Sequence, residues 1–301
     1  DPVIQAIVGV KSSITGLSTS GISYKAGTKW QDLEKNRSNS KRIFGTVDMT
    51  AETNSTDLRL QFVDLYAMAQ AYGTRGSSYT YKDSSNNVVT WELYQNQELR
   101  DAIFFGLKKG LNFYNKTYFD AQRASANRGS IYNWWNWAYG GPLEILRTLL
   151  IMYPYANSTE SSIAKSYTDA CLYFIDFCRP NNDGKTDTTT LGYRRSRLNI
   201  CAMIASLTKN TDLMEETRTN LAYYLEPHYD TDEGIKEDGT YICHRYWPLE
   251  GTYGTDVLVN RMMYTYSAMA GTAFALDGAE VMADWIINTF KPTMHKNMFM
   301  V

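Results

Sequence analysis

The residues best suited to chemistry gather in one stretch, Asp238-Gly-Thr-Tyr-Ile-Cys-His-Arg-Tyr-Trp-Pro-Leu-Glu-Gly-Thr-Tyr-Gly-Thr-Asp256. It holds His244, one of three histidines, and nine residues later the glycine-flanked Tyr253. An imidazole titrates near neutrality and a phenol can give or take a proton, so the pair can move protons on a bound substrate. The same residues also fit an aromatic plug around a satisfied histidine, and at this point both readings stand. Gly239, Gly251, Gly254 and Pro248 predict irregular backbone between helices, the kind of surface segment that carries binding groups. Asp238 and Glu250 offer a carboxylate pair of the sort that hydrolyses glycosides, although Asp238-Gly239 also reads as a turn.

The composition narrows the partners. A formal charge of −2 gives no support for nucleic acid or an anionic membrane surface. No apolar run approaches the roughly 20 residues that span a bilayer. Tyrosine (23) and tryptophan (7) are abundant, and their rings suit packing against sugars as well as filling a core. Cys171 and Cys178 lie two helical turns apart, too far to bridge, and no Cys/His spacing matches a zinc site, so no metal is expected. The chain opens on Asp1-Pro2 with no signal-like segment, as a processed or trimmed chain does.

The elements that position these residues are helical. Residues 1–18 read as a short helix and 19–56 as a polar surface excursion. Thr56 or Asp57 then caps a helix with Leu58, Phe62, Leu65, Tyr66, Met68 and Ala69 at helical spacing, stopped by Gly73. Residues 74–94 form a second loop with a small hairpin at Tyr79–Trp91. A helix from Asn96 to Tyr114 precedes a connector over 115–133, which ends in Asn133-Trp134-Trp135-Asn136-Trp137. Pro142 opens a buried helix that runs to Tyr153. Further helices are predicted over 158–178, 193–208, 211–225, 256–275 and 278–290. Strand signals are nearly absent and no repeat recurs at fixed period. The class is all-α: residues 1–301 form one domain, an incomplete α/α-toroid of paired helices whose long loops frame a cleft.

Three stretches resemble the helical domain of family-8 polysaccharide lyases, the hyaluronate, chondroitin and xanthan lyases. Asn133-Trp-Trp-Asn-Trp-Ala-Tyr-Gly-Gly-Pro142 is similar to the family's Asn-Trp-Trp-x-x-Glu-Ile-Gly-x-Pro, with Ala138 and Tyr139 in place of Glu and Ile. Asp238-Gly-Thr-Tyr-Ile-Cys-His244 and Gly251-Thr-Tyr-Gly254 resemble its Asp-Gly-Ser/Thr-Phe/Tyr-x-x-His and Gly-x-Tyr-Gly elements at the same interval. The tail, Phe290-Lys-Pro to Met298-Phe-Met-Val301, resembles the approach to the family's Arg-Gly-Arg motif. The likeness covers roughly residues 130–301.

The resemblance implies β-elimination on a uronate-containing, glycosaminoglycan-like acidic glycan. His244 is then the general base or a carboxylate-orienting group. Tyr253 is the acid that protonates the leaving oxygen, and can be the base if nearby cations lower its pKa. The family's Gly-Ala-Asn-Arg falls on Leu191-Gly-Tyr-Arg-Arg195, which puts Arg194 where the carboxylate-neutralising asparagine stands; Asn199 is an alternative donor. An arginine fork matches a carboxylate bidentately and can replace the amide. Trp134, Trp135 and Trp137 stack on sugar rings beside Asn133, with Trp247 a weaker platform, and at least one of the three tryptophans belongs to the core. The implied enzyme needs no cofactor, acts as a monomer, and is secreted or periplasmic in a bacterium, with β-rich domains following. Two other classes remain: a non-catalytic glycan-binding module on the same fold, and a glycoside hydrolase using Asp238 and Glu250.

Overall fold

The computed structural model describes residues 19–45, 48–49, 55–124, 133, 135–177, 191–225, 234–238, 240–243, 247–248, 261–295 and 298–299. Two compact units emerge, one over residues 11–178 and one over 1–10 with 179–301.

In the first unit, Leu58, Phe62, Leu65, Ala69 and Tyr72 return every three or four residues and are all buried. They form the inner stripe of α2 (Ser55–Gly73), which packs against α1 (Thr19–Lys35) and α5 (Gly141–Met152). Helix α1 replaces part of the excursion expected over 19–56. Ile22, Ala26, Trp30 and Leu33 lie on one face and are buried, and that stripe outweighs the poor helix propensity of Gly21, Gly27 and the Ser/Thr residues.

The hairpin forms as predicted, with β1 (Ser78–Lys82) and β2 (Val88–Glu92) paired antiparallel from Ser78↔Glu92 to Lys82↔Val88. Its turn is closed by the Asp83 carboxylate, which accepts from the Ser85 and Asn87 amides at 2.8 and 2.9 Å. The aromatic face of the hairpin lies on α1: Trp91 meets Trp30 at 4.4 Å between ring centroids. Tyr79 sits so close over Gly27 that a Cβ there would fall 2.0 Å from its ring, so only glycine lets the hairpin dock.

Asn96 caps α3 (Gln97–Gly110), its side-chain oxygen accepting from the Leu99 amide at 3.0 Å. Within the expected connector over 115–133 a further helix forms, α4 (Lys116–Ala124), started by Asn115, whose Oδ1 accepts from the Tyr118 amide at 2.8 Å. Helix α6 (Ser158–Phe177) starts where the sequence places it and begins with a capping box formed by Asn157 and Glu160. The Glu160 amide donates to Asn157 Oδ1 at 3.0 Å and the Asn157 amide donates back to Glu160 Oε2 at 2.7 Å. Glu160 also accepts from Arg100 of α3, whose guanidinium donates to the Tyr155 carbonyl at 2.7 and 3.0 Å.

The second unit holds α7 (Leu191–Thr208), α8 (Thr211–Leu225), α9 (Arg261–Met269) and α10 (Ala279–Asp284), the last running into a π-helical segment, Trp285–Phe290. Leu198, Ala202, Met214, Leu221, Met262, Met282 and Trp285 build its core. The stretch expected as wholly irregular contains strands. β3 (Gly234–Ile235), β4 (Tyr241–Cys243) and β5 (Trp247–Pro248) form an antiparallel sheet with β4 in the middle. Tyr241 fixes that sheet to the core; it is fully buried, with its ring edge-on to Phe290 at 6.0 Å. Strands of two or three residues are too short to leave an alternation that sequence inspection can detect.

Candidate functional site

The tryptophan motif of the first unit is built from a helix with one residue too many. Asn133 starts it: its Oδ1 accepts from the Trp135 amide at 3.1 Å and its carbonyl accepts from the Asn136 amide at 3.0 Å. Asn136–Gly140 is then π-helical, the Gly141 amide reaching back to the Asn136 carbonyl. Such single π turns inside helices recur at functional sites. The wider turn separates residues that share a type but not a task.

Trp137 points into the core. It is 1% exposed, stacks on Tyr114 at 5.6 Å and 14°, and meets Phe119 and Phe174 at 4.8 and 5.0 Å. Tyr114 Oη donates to the Trp137 carbonyl at 2.5 Å. The expectation that Trp137 stacks on sugar therefore gives way to a core role, because no face of its indole reaches solvent. Ala138 and Tyr139 are buried too, so the substitution of the family's glutamate by Ala138 places no charge in this wall.

Trp135 takes the other direction and is half-buried. The Arg59 guanidinium of α2 lies over its ring at 5.5 Å, and Tyr139 meets it at 5.6 Å and 59°. Gly140 is what admits the indole. A Cβ at that position would come within 2.4 Å of the Trp135 ring and 2.7 Å of Arg59 Cδ. Next to it the buried Asn136 amide donates to Ser55 Oγ at 3.0 Å and Thr56 Oγ1 at 3.1 Å. The first turns of α2 thus hold both Trp135 and Asn136. Sequence reasoning missed Arg59, Ser55 and Thr56, which stand about eighty positions away from the residues they hold; no local signal marks them.

In the second unit Asn199 is 5% exposed on α7, between core residues Leu198 and Ile200, and its buried Oδ1 has no hydrogen-bond partner. Arg194 belongs to the same helix, five residues earlier. At 100° per residue the two stand about 140° apart around the axis, so they occupy different faces. Trp247 lies in β5, paired with Cys243 of β4. His244, Tyr253 and Trp134 lie outside the described residues. Asp238 accepts from the Thr240 amide at 2.9 Å, and that hydrogen bond holds its carboxyl below the usual aspartate range. An exposed turn carboxylate kept ionised is poorly suited to act as a general acid. Among the described residues no cluster of three or more metal-ligating side chains occurs, and no helix is long and apolar enough to cross a membrane.

Comparison with known proteins identifies the family and the fold. The family model described as polysaccharide lyase family 8, N-terminal α-helical domain, matches residues 17–301. A hyaluronate lyase of Enterococcus faecalis is 25% identical over 261 residues, 81% of this chain and 23% of its own length. A xanthan lyase of Bacillus sp. is 22% identical over 286 residues, 94% of this chain and 27% of its own length. The chain thus spans about a quarter of these relatives. Among solved structures, the Streptomyces coelicolor A3 chondroitin AC lyase in complex with chondroitin sulphate superposes with a TM-score of 0.72 at 16% identity, over 99% of this chain and 37% of that one. The Paenibacillus xanthan lyase gives 0.65 at 21% identity, over all of this chain and 24% of that one. These likenesses bear out the all-α, α/α-toroid class read from the helical pattern. The chain belongs to polysaccharide lyase family 8, as its N-terminal α-helical domain.

Proposed function

We propose that this chain is the helical part of a secreted lyase that cleaves a uronate-containing acidic glycan by β-elimination. The observation that carries the reading is the family match over residues 17–301; the roles of His244 and Tyr253, nine residues apart, are assigned on the motif resemblance. In the step proposed, the C5 proton leaves to a base, the C4–C5 double bond forms, and the C4–O4 bond breaks. Tyr253 returns a proton to O4. His244 takes the C5 proton, or it orients the carboxylate while Tyr253 itself takes that proton before passing one to O4. A cation or amide against that carboxylate stabilises the enolate-like intermediate. Arg194 is assigned this role on its register with the family asparagine. Asn199 is the weaker candidate, because its side chain is buried on a different face of α7. Trp135 supports the sugar chain. The elimination needs no cofactor, and β-rich domains are proposed to complete the enzyme.

A glycan-binding module without catalysis is the second reading, favoured by Ala138 and Arg194 where the family carries Glu and Asn. Ultraviolet absorbance separates the two. A conjugated unsaturated uronide formed from hyaluronan, chondroitin sulfates or xanthan, and lost in both Tyr253→Phe and His244→Ala, supports the lyase. Retained glycan binding with no such absorbance supports the module. Reducing ends appearing without absorbance would move the assignment to a hydrolase.

A further inference from the structure

Arg59 is an unusual arginine. Its guanidinium lies over the Trp135 ring, 5.5 Å from the centroid, and its Nε is buried without a hydrogen-bond partner. No carboxylate forms an ion pair with it among the described residues. Arg100, by contrast, is held by Glu160, Asp101 and a backbone carbonyl, and Arg147 lies 3.5 Å from Glu144. A half-buried cation without a counter-ion is costly, because the indole removes water from it and supplies only a quadrupole in return. The donors of a guanidinium lie in its plane and suit an oxyanion, and among the described residues none of those of Arg59 is taken by a carboxylate. Arg59 is also rigidly placed. The Gly140 backbone fixes the indole from one side, and one turn earlier Ser55 and Thr56 tie α2 to Asn136.

The geometry points to Arg59 as the residue that binds the anionic substituent, carboxylate or sulfate ester, of a sugar unit lying at Trp135. This rests on the acidic-glycan reading above and names the residue that makes the platform prefer acidic over neutral polymers. Trp135 alone recognises any sugar face, whereas the pair requires a negative charge beside it.

The test compares wild type, Arg59→Gln and Arg59→Lys in the protein that includes the domains proposed to complete the enzyme. Binding of hyaluronan oligosaccharides, which carry only carboxylates, chondroitin sulfate oligosaccharides and neutral cello-oligosaccharides is followed by tryptophan fluorescence at low and high salt, with KM and kcat measured beside it. In Arg59→Gln, affinity for acidic glycans should fall about tenfold, KM should rise in step, and salt dependence should flatten. The kcat should stay within about twofold and neutral-sugar binding should not change. Arg59→Lys should recover part of the affinity. An equal loss on both acidic glycans assigns the carboxylate; a loss confined to the sulfated one assigns the sulfate. Arg59→Gln with unchanged affinity, KM and salt dependence overturns the role of Arg59 alone. Weakening that is equal for neutral and acidic sugars, with a lowered melting temperature, also overturns it in favour of mere support for the indole. Wild type that neither binds nor cleaves either acidic glycan removes the lyase reading and this role together.

Discussion

Gly140 shows how one missing side chain sets a surface. The Trp135 indole and the Arg59 stem occupy the space a Cβ would take, at 2.4 and 2.7 Å. Gly140→Ala is therefore expected to push the indole outward, with an overpacking cost of about 1–3 kcal/mol. Glycan affinity should fall about tenfold or more while far-ultraviolet circular dichroism stays unchanged; undiminished binding would show that the indole has another seat. The same contact shows what the motif leaves unsaid. Trp135 and Trp137 are two positions apart in a run of like residues, and one lines the surface while the other is 1% exposed. Residue type announces a platform, but the π turn decides which indole forms it, and nothing in residues 133–142 spells out a π turn. Arg59 was equally hidden, because its importance comes from a contact across 76 positions (135 − 59).

At the scale of elements, legibility follows the strength of local signals. Helices α2, α3, α5, α6 and α8 stand close to where their apolar periods and caps put them, since each buries a stripe that repeats over three or more turns. Helix α1 was misread because glycine, serine and threonine mask a stripe that is complete at Ile22, Ala26, Trp30 and Leu33. The sheet around β4 was missed because tertiary anchoring by Tyr241, rather than alternation, makes it. The start of α6 carries a sharper consequence. Glu160 caps its own helix and accepts from Arg100, with both side chains nearly buried at 11% and 12% exposure. Glu160→Ala removes both interactions and leaves the guanidinium without its partner. A loss of about 2–4 kcal/mol is expected, read from urea unfolding of the variant beside Arg100→Met; a change below about 0.5 kcal/mol would place the pair in effectively open solvent.

Across the chain as a whole, charge is the relevant quantity. A formal net charge of −2 and a pI near 6.0 mean that the overall field at neutral pH mildly opposes an acidic polymer. Recognition of such a polymer then depends on a few local cations, Arg59 and Arg194 among them in the functions proposed here. Lowering the pH from about 8 to about 5.5 carries the chain through its pI and turns net repulsion into attraction. Affinity for hyaluronan should therefore rise over that interval at low salt and lose most of the trend at high salt. Affinity indifferent to pH at low salt would count against any electrostatic share in binding.

The π turn at Asn136–Gly140 has one more implication, which concerns counting. A helix that accommodates an extra residue keeps everything before it rotated by about 100° from where an ordinary helix would hold it. Deleting one residue there would restore regular hydrogen bonding and improve the helix as a helix. It would also swing Trp135 away from Arg59 and detach Asn136 from Ser55 and Thr56. The length of this short segment is thus under tighter constraint than most of its letters, and the surplus residue is retained because it aims the one before it.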